Sequence, residues 1–172
     1  MKFKILPFFL IIFFCIIFYI FYKGLLNSNI YVPKNNTEID IPIFNAKVFN
    51  SNNELNSEKI FKDDKFYIMN IWSSWCVPCK SEHPFLMGLS NQENIEIIGL
   101  NYKDNKKNAK KFLKELGNPY KIILLDKHGT ISIDWGAYGV PESFLIYNKK
   151  IIKKITGPID KDLLIEIKKI TK

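Results

Sequence analysis

The spacing of apolar and polar positions divides this chain into three stretches of different character. Residues 5–22 read ILPFFLIIFFCIIFYIFY, an apolar run without a single charge. A run of that length is near the minimum for a transmembrane helix and exceeds most signal-peptide cores. Tyr19 and Tyr22 lie where an interfacial aromatic belt would sit, and KGLLNSNIY after them offers no small-x-small cleavage pattern. The expectation is an uncleaved anchor over residues 1–23. Lys2, Lys4 and the amino terminus precede the run and Lys23 follows it, a slight bias toward an inside N-terminus and an exported C-terminal part. Cys15, inside the run, reads as a small apolar packing residue. Residues 24–40, rich in Asn, Ser and Thr with one proline, read as a tether. The remainder, 41–172, carries the periodicities of a folded domain.

Within that domain the first segment, IPIFNAKVFNSNNELNSEKIF, predicts one or two short strands and a helical turn. FYIMNIW over 66–72 suits a strand buried on both faces. A helix is expected over about 76–90, capped by Ser73 or Ser74 and kinked at Pro84. IEIIGLN at 95–101 is a second strand. NKKNAKKFLKEL at 105–116 puts Ala109, Phe112, Leu113 and Leu116 on one helical face and stops at Gly117 and Pro119. A third strand covers 121–125 and a turn 126–129. Residues 143–147 and 151–155 flank Asn148–Lys150 as a hairpin, and 160–170 closes the chain as a helix. Strand–helix–strand–helix–strand, then hairpin and helix, predicts an α/β sandwich with a mixed sheet.

Composition adds two exclusions. The positive charge behind the net +8 comes wholly from lysine; there is no arginine for bidentate base or phosphate recognition, and the charge reads as a by-product of a Lys/Asn/Ile-rich composition rather than as a nucleic-acid surface. Of three cysteines only Cys76 and Cys79 lie in the domain. The loop they close is too short to staple a fold, so chemistry or metal binding remains.

A dithiol catalyst needs one ionised thiol to attack and a second about one turn away to resolve the mixed disulfide. C-x-x-C at a helix start meets both needs, because the first sulfur sits at the positive end of the helix. Trp72-Ser73-Ser74-Trp75 delivers the chain from a strand end to Cys76, making Cys76 the nucleophile and Cys79 the resolver. The competing reading is a copper or zinc module. A lone C-x-x-C supplies two of the four ligands structural zinc wants, and His83 and His128 are the remaining candidates. His83 reads as structural rather than catalytic.

NIWSSWCVPCKSEHP, NYKD and GAYGVPESFLIY together resemble the thiol:disulfide interchange proteins of cytochrome c maturation, the DsbE/CcmG family. The resemblance covers nearly all of 41–172 and extends to the single N-terminal anchor. It implies a thioredoxin-like three-layer α/β/α sandwich preceded by one transmembrane helix. The Val140-Pro141 bond would be cis and face the cysteines, with the Val140 backbone pairing to an extended substrate segment. Trp75 would join the apolar rim, with Trp72 either beside it or in the core. Asn70 stands where thioredoxin proper has a buried aspartate. Glu82 and Glu142, which by themselves read as solvated surface carboxylates, match the acidic pair of the family site; near Cys76 such charges should raise its thiolate pKa. The implied activity is reduction of disulfides in apocytochrome c or a partner thiol protein, with a membrane electron donor restoring the dithiol and no cofactor beyond the Cys76–Cys79 pair. The implied place is the inner membrane, with the catalytic domain facing the periplasm. A related anchored reductase for another exported target is the alternative.

Overall fold

The computed structural model describes residues 6–26, 39–62 and 64–172. The chain divides into two compact units, Met1–Asn35 and Asn36–Lys172. The first contains α1, Leu6–Leu26, a helix with exposed Phe, Ile and Tyr side chains along its length. Side chains within it are described from position 7 to position 23, and over the described residues no helix is long and apolar enough to cross a membrane. Most of the stretch read as tether, 27–38, lies outside the described residues. Its last two positions are already in the sheet.

The second unit runs β1 (Ile39–Asp40), β2 (Asn45–Val48), β3 (Glu54–Asn56), α2 (Ser57–Ile60), β4 (Phe66–Trp72), α3 (Val77–Ser90), β5 (Ile95–Tyr102), α4 (Lys106–Leu116), β6 (Ile122–Asp126), α5 (Thr130–Asp134), β7 (Glu142–Tyr147), β8 (Lys150–Thr156) and α6 (Lys161–Ile170). The strands form one eight-stranded sheet ordered β1-β8-β7-β4-β5-β6-β2-β3. β4, β5 and β6 are parallel neighbours, whereas β7 pairs antiparallel with β4, so the sheet is mixed as expected. The hairpin turn places Asn148 and Lys149 both at positive φ, the twist-matched arrangement for a two-residue connection.

Period-two alternation sorts the sheet residues onto two faces. Ile68, Trp72, Ile97, Ile123 and Leu145 pack with Leu86, Leu89, Ala109, Phe112 and Ile167, under α3, α4 and α6. Tyr67, Met69, Ile71, Ile98, Leu100, Phe144 and Ile146 pack with Ile60, Ile131 and Trp135, under α2 and α5. This is the three-layer α/β/α sandwich. The sequence pattern missed α5, which is too short to show a helical period. The starts of α4 and α6 fall one residue later than expected, and Gly117 stops α4 as expected. Asn105 and Asp160 cap α4 and α6 with their side chains, and Gly117 at φ 93 ends α4 in a conformation few other residues adopt. α3 runs through Pro84 to Ser90 without a break.

Trp72, expected at the rim or in the core, is in the core. Its ring stacks on Tyr120 at 5.3 Å, and both crowd Gly99, where an added Cβ would lie 2.8 Å from Tyr120 ring carbons and 2.9 Å from Trp72 Nε1. Gly99→Ala should therefore lower unfolding free energy by about 1–3 kcal/mol through overpacking. The measurement is urea denaturation with the midpoint falling and the slope unchanged.

Candidate active site

β4 ends at Trp72, at the carboxyl edge of the parallel strands, and the chain turns through residues 73–75 into α3. That turn is held by the next strand–helix connection. Ser73 Oγ donates to the Tyr102 carbonyl at 2.9 Å, and the Asp104 carboxylate accepts from Ser74 N–H at 2.6 Å, Ser74 Oγ–H at 2.7 Å, Asn101 Nδ2–H at 3.0 Å and Asn105 N–H at 2.7 Å. Trp75 Nε1–H donates to the Lys103 carbonyl at 3.2 Å, and Lys103 takes φ 42 to present it. Both serines expected to cap α3 are consumed by this clamp.

Cys76 is the cap instead. It keeps an extended backbone, and its Sγ accepts the N–H of Cys79 at 3.1 Å. Pro78 falls in the first turn, where its missing N–H costs nothing. Cys76 and Cys79 are joined as a disulfide with Cα atoms 5.3 Å apart. In this state the two residues are 4% and 2% exposed, so exposure does not separate them. What separates them is the hydrogen bond from the helix to the first sulfur. A donor aimed at that sulfur favours its thiolate once the disulfide opens.

The residues flanking Cys76 in the chain are apolar and exposed, Trp75 57% and Val77 79%, and Tyr138 in the loop before Pro141 is 83% exposed. Val140 packs against the cluster that contains both cysteines, and the Val140-Pro141 bond is cis.

The two acids differ from each other, and both are buried rather than solvated at the surface. Glu142 is buried because the loop before it folds onto its carboxylate. Oε1 accepts from Tyr138 N–H at 2.6 Å and Gly139 N–H at 2.9 Å, and Lys154 Nζ lies 3.0 Å from Oε2 as an ion pair. Lys154 also donates to the Gly136 carbonyl and lies 4.2 Å from the Tyr138 ring centre. Glu142 is thus neutralised and shapes the loop that carries Tyr138 and Pro141. Glu82 is fully buried and faces no cation in its hydrogen bonds. Oε1 accepts from Asn70 Nδ2–H and Oε2 from Ile159 N–H, each at 2.9 Å. Burial pushes its carboxyl up to about 7, against the pull of those two donors. It sits one helical turn after Cys79, on the same side of α3.

Asn70 links Glu82 to two residues the sequence did not single out. Its Nδ2 also donates to Ser143 Oγ at 3.0 Å, and its Oδ1 accepts from Tyr120 Oη–H at 2.9 Å. Nothing local in the sequence marks Tyr120, whose partner is 50 positions away. Asp104 lies in the NYKD segment but its role as a loop clamp carries no spacing signal. His83 is in the core, with Nε2 3.0 Å from the Gly117 carbonyl and its ring edge-on to Phe112. Burial lowers its pKa, so the ring is a neutral donor there, in keeping with a structural role. Among the described residues no group of three or more His, Cys, Asp and Glu side chains is placed to hold a metal.

The elevated Glu82 pKa makes stability depend on pH with a definite sign. Between about pH 4.5 and 7 the folded protein keeps a proton that the unfolded chain has released, so stability falls as pH rises through that window and levels above it. The full loss is at most about 3 kcal/mol for a shift of this size. Glu82→Gln should remove it. Urea denaturation of both oxidised proteins from pH 5 to 8 should show the variant gaining on the wild type up to pH 7 and no further.

Comparison with known proteins agrees with this geometry. The redoxin family matches residues 35–170. The thiol:disulfide interchange protein CycY of Rhizobium leguminosarum bv. viciae is 46% identical over 95 residues, 55% of this chain and 51% of that protein. The thiol:disulfide interchange protein DsbE of Escherichia coli K12 is 38% identical over 113 residues, 66% of this chain and 60% of that protein. The chain thus spans only about half to three fifths of the length of these curated relatives. Among solved structures, a DsbE-type protein from Chlorobium tepidum superposes with a TM-score of 0.64 at 22% identity, covering 77% of this chain and 94% of that one. StoA from Bacillus subtilis gives 0.59 at 23% identity, covering 77% and 98%. Both share the fold. With its thioredoxin-like sandwich and a disulfide at the cap of α3, the chain belongs to the redoxin family.

Proposed function

We propose that the protein is a membrane-anchored thiol–disulfide oxidoreductase that reduces disulfides of apocytochrome c, or of a partner thiol protein, during cytochrome c biogenesis. The observation that carries the chemistry is the Cys76–Cys79 disulfide whose first sulfur takes a hydrogen bond from the opening turn of α3. Similarity to thiol:disulfide interchange proteins supports the substrate class. The anchor rests on the sequence of α1, in which no charge occurs from Leu6 to Tyr22. The slight lysine bias favours the periplasmic side for the domain.

In the reduced protein the Cys76 thiolate attacks one sulfur of the substrate disulfide. A Cys76–substrate disulfide forms, and the other substrate sulfur leaves as a thiolate that takes a proton from water. Cys79 then gives its proton to the Glu82 carboxylate and attacks Cys76 Sγ. The mixed disulfide breaks, the substrate sulfur that was bonded to Cys76 leaves as a thiolate that takes a proton from water, and Cys76–Cys79 closes. Two electrons have passed from the protein to the substrate, and a membrane dithiol donor returns them by the same exchange in reverse. Glu82 suits the proton transfer because a buried carboxyl with a pKa near 7 accepts and releases a proton at ordinary pH. Trp75, Tyr138 and the Val140 backbone form the surface against which an extended substrate segment would lie, with Pro141 leaving that edge unpaired.

The test uses the full chain in detergent with a disulfide-bonded peptide carrying a C-x-x-C-H segment. The wild type should reduce it, Cys76→Ala should not, and Cys79→Ser should accumulate a Cys76-linked mixed disulfide. In the reduced protein, iodoacetamide should modify Cys76 much faster than Cys79. Reduction by Cys76→Ala, or faster labelling of Cys79, would overturn the assignment.

A further inference from the structure

Tyr120 lies between α4 and β6, remote in sequence from every cysteine, yet its hydroxyl ends inside the buried polar group that contains Glu82, one helical turn after Cys79. The ring is held by stacking on Trp72, and the hydroxyl reaches Asn70 Oδ1 at 2.9 Å. An asparagine amide has an acceptor at one end and two donors at the other, so its orientation decides what its neighbours must be. With its oxygen on Tyr120, its nitrogen faces Ser143 Oγ and Glu82 Oε1. Turned over, its oxygen would face Glu82, and that contact holds only if Glu82 carries a proton. The Tyr120 hydroxyl would then have to accept from the amide and leave its own proton on no acceptor that this cluster offers. Burial and the nearby Glu82 carboxylate hold the phenol pKa well above its usual value, so Tyr120 keeps its proton and remains a donor.

We propose that Tyr120 is a positioning residue for the redox centre: by donating to Asn70 it locks the amide with its nitrogen toward Glu82 and so keeps that carboxyl ready to accept the Cys79 proton. The proposal rests on the reading of Glu82 as the proton acceptor of Cys79. The groups bonded to or around Glu82 are Asn70 from β4, Tyr120 and Ser143 around that amide, and the Ile159 N–H before α6, while Cys79 lies one turn before it on the same side of α3. Glu142, next to Ser143 in β7, is turned to Lys154 and to the backbone of 138–139 and does not enter the cluster. Tyr120 therefore acts through one amide.

The experiment is infrared titration of the oxidised full chain in detergent, with the Glu82 carboxylic C=O band identified by its absence in Glu82→Gln. Tyr120→Phe keeps the ring on Trp72 and removes only the hydroxyl. Its Glu82 midpoint should rise by about one pH unit, a tenfold change in the proton equilibrium. Asn70→Ala removes the intermediary and should raise the midpoint in the same direction, and adding Tyr120→Phe to it should do nothing more. An unmoved midpoint in Tyr120→Phe, or a further rise in the double variant, overturns the proposal. A second readout is the decay of a glutathione mixed disulfide on Cys76, in which Cys79 displaces glutathione and closes the intramolecular disulfide. The pH midpoint of that decay should shift up in Tyr120→Phe alongside the infrared band. If the band moves and the decay does not, the coupling of Tyr120 to Glu82 stands and the proton step assigned to Glu82 fails.

Discussion

The first turn of an α-helix leaves backbone N–H groups without partners inside the helix, and the candidate chemistry depends on which atom takes them up in α3. In most helices an oxygen of Ser, Thr, Asp or Asn does so. Here the oxygens nearby are committed elsewhere, because Ser73 and Ser74 are bound to the 101–105 connection. The N–H of Cys79 falls to Cys76 Sγ. A sulfur that stabilises a helix end is a sulfur whose negative charge the helix favours. The strand end, the serine clamp and Pro78 are the conditions that put it there.

On the face of the sheet that α3 covers, the protein keeps a polar cluster in what is otherwise an apolar layer. Asn70, Glu82 and Ser143 are each fully or almost fully buried, between Ile68, Leu145 and the helices that cover them. Burying polar groups is costly unless they are bonded, and each of these has a partner. The cluster cannot be justified by stability alone. Glu82 remains desolvated enough to be pushed up to about 7, which costs folding free energy above that pH. A carboxyl whose pKa lies near 7 is one that can take up and release a proton at neutral pH. Glu142 illustrates the opposite use of a buried acid. Its two backbone donors and Lys154 make it a fastener for the loop that ends in Pro141.

The sequence alone determined the layered fold and the redox pair. The short apolar runs of β4, β5 and β7 and the 3.6-residue period of α4 are local signals, written by which sides of each element must leave water. C-x-x-C after a strand is equally local, so Cys76 and Cys79 are legible in the linear chain. The motifs around them also mark Glu82, Pro141 and Glu142 by position. Only the tertiary structure decided what those acids do, because a carboxylate's protonation and partners depend on groups far away in the chain. Tyr120 is 50 positions from Asn70, Ile159 is 77 from Glu82, and Asp104 is 30 from Ser74. Trp72 is ambiguous in sequence for the same reason: a tryptophan at a strand end is rim or core according to what packs on it, and Tyr120 and Phe112 cover it. Burial, hydrogen-bond partners and charge pairing are properties of neighbours in space, and a linear pattern names only neighbours along the chain.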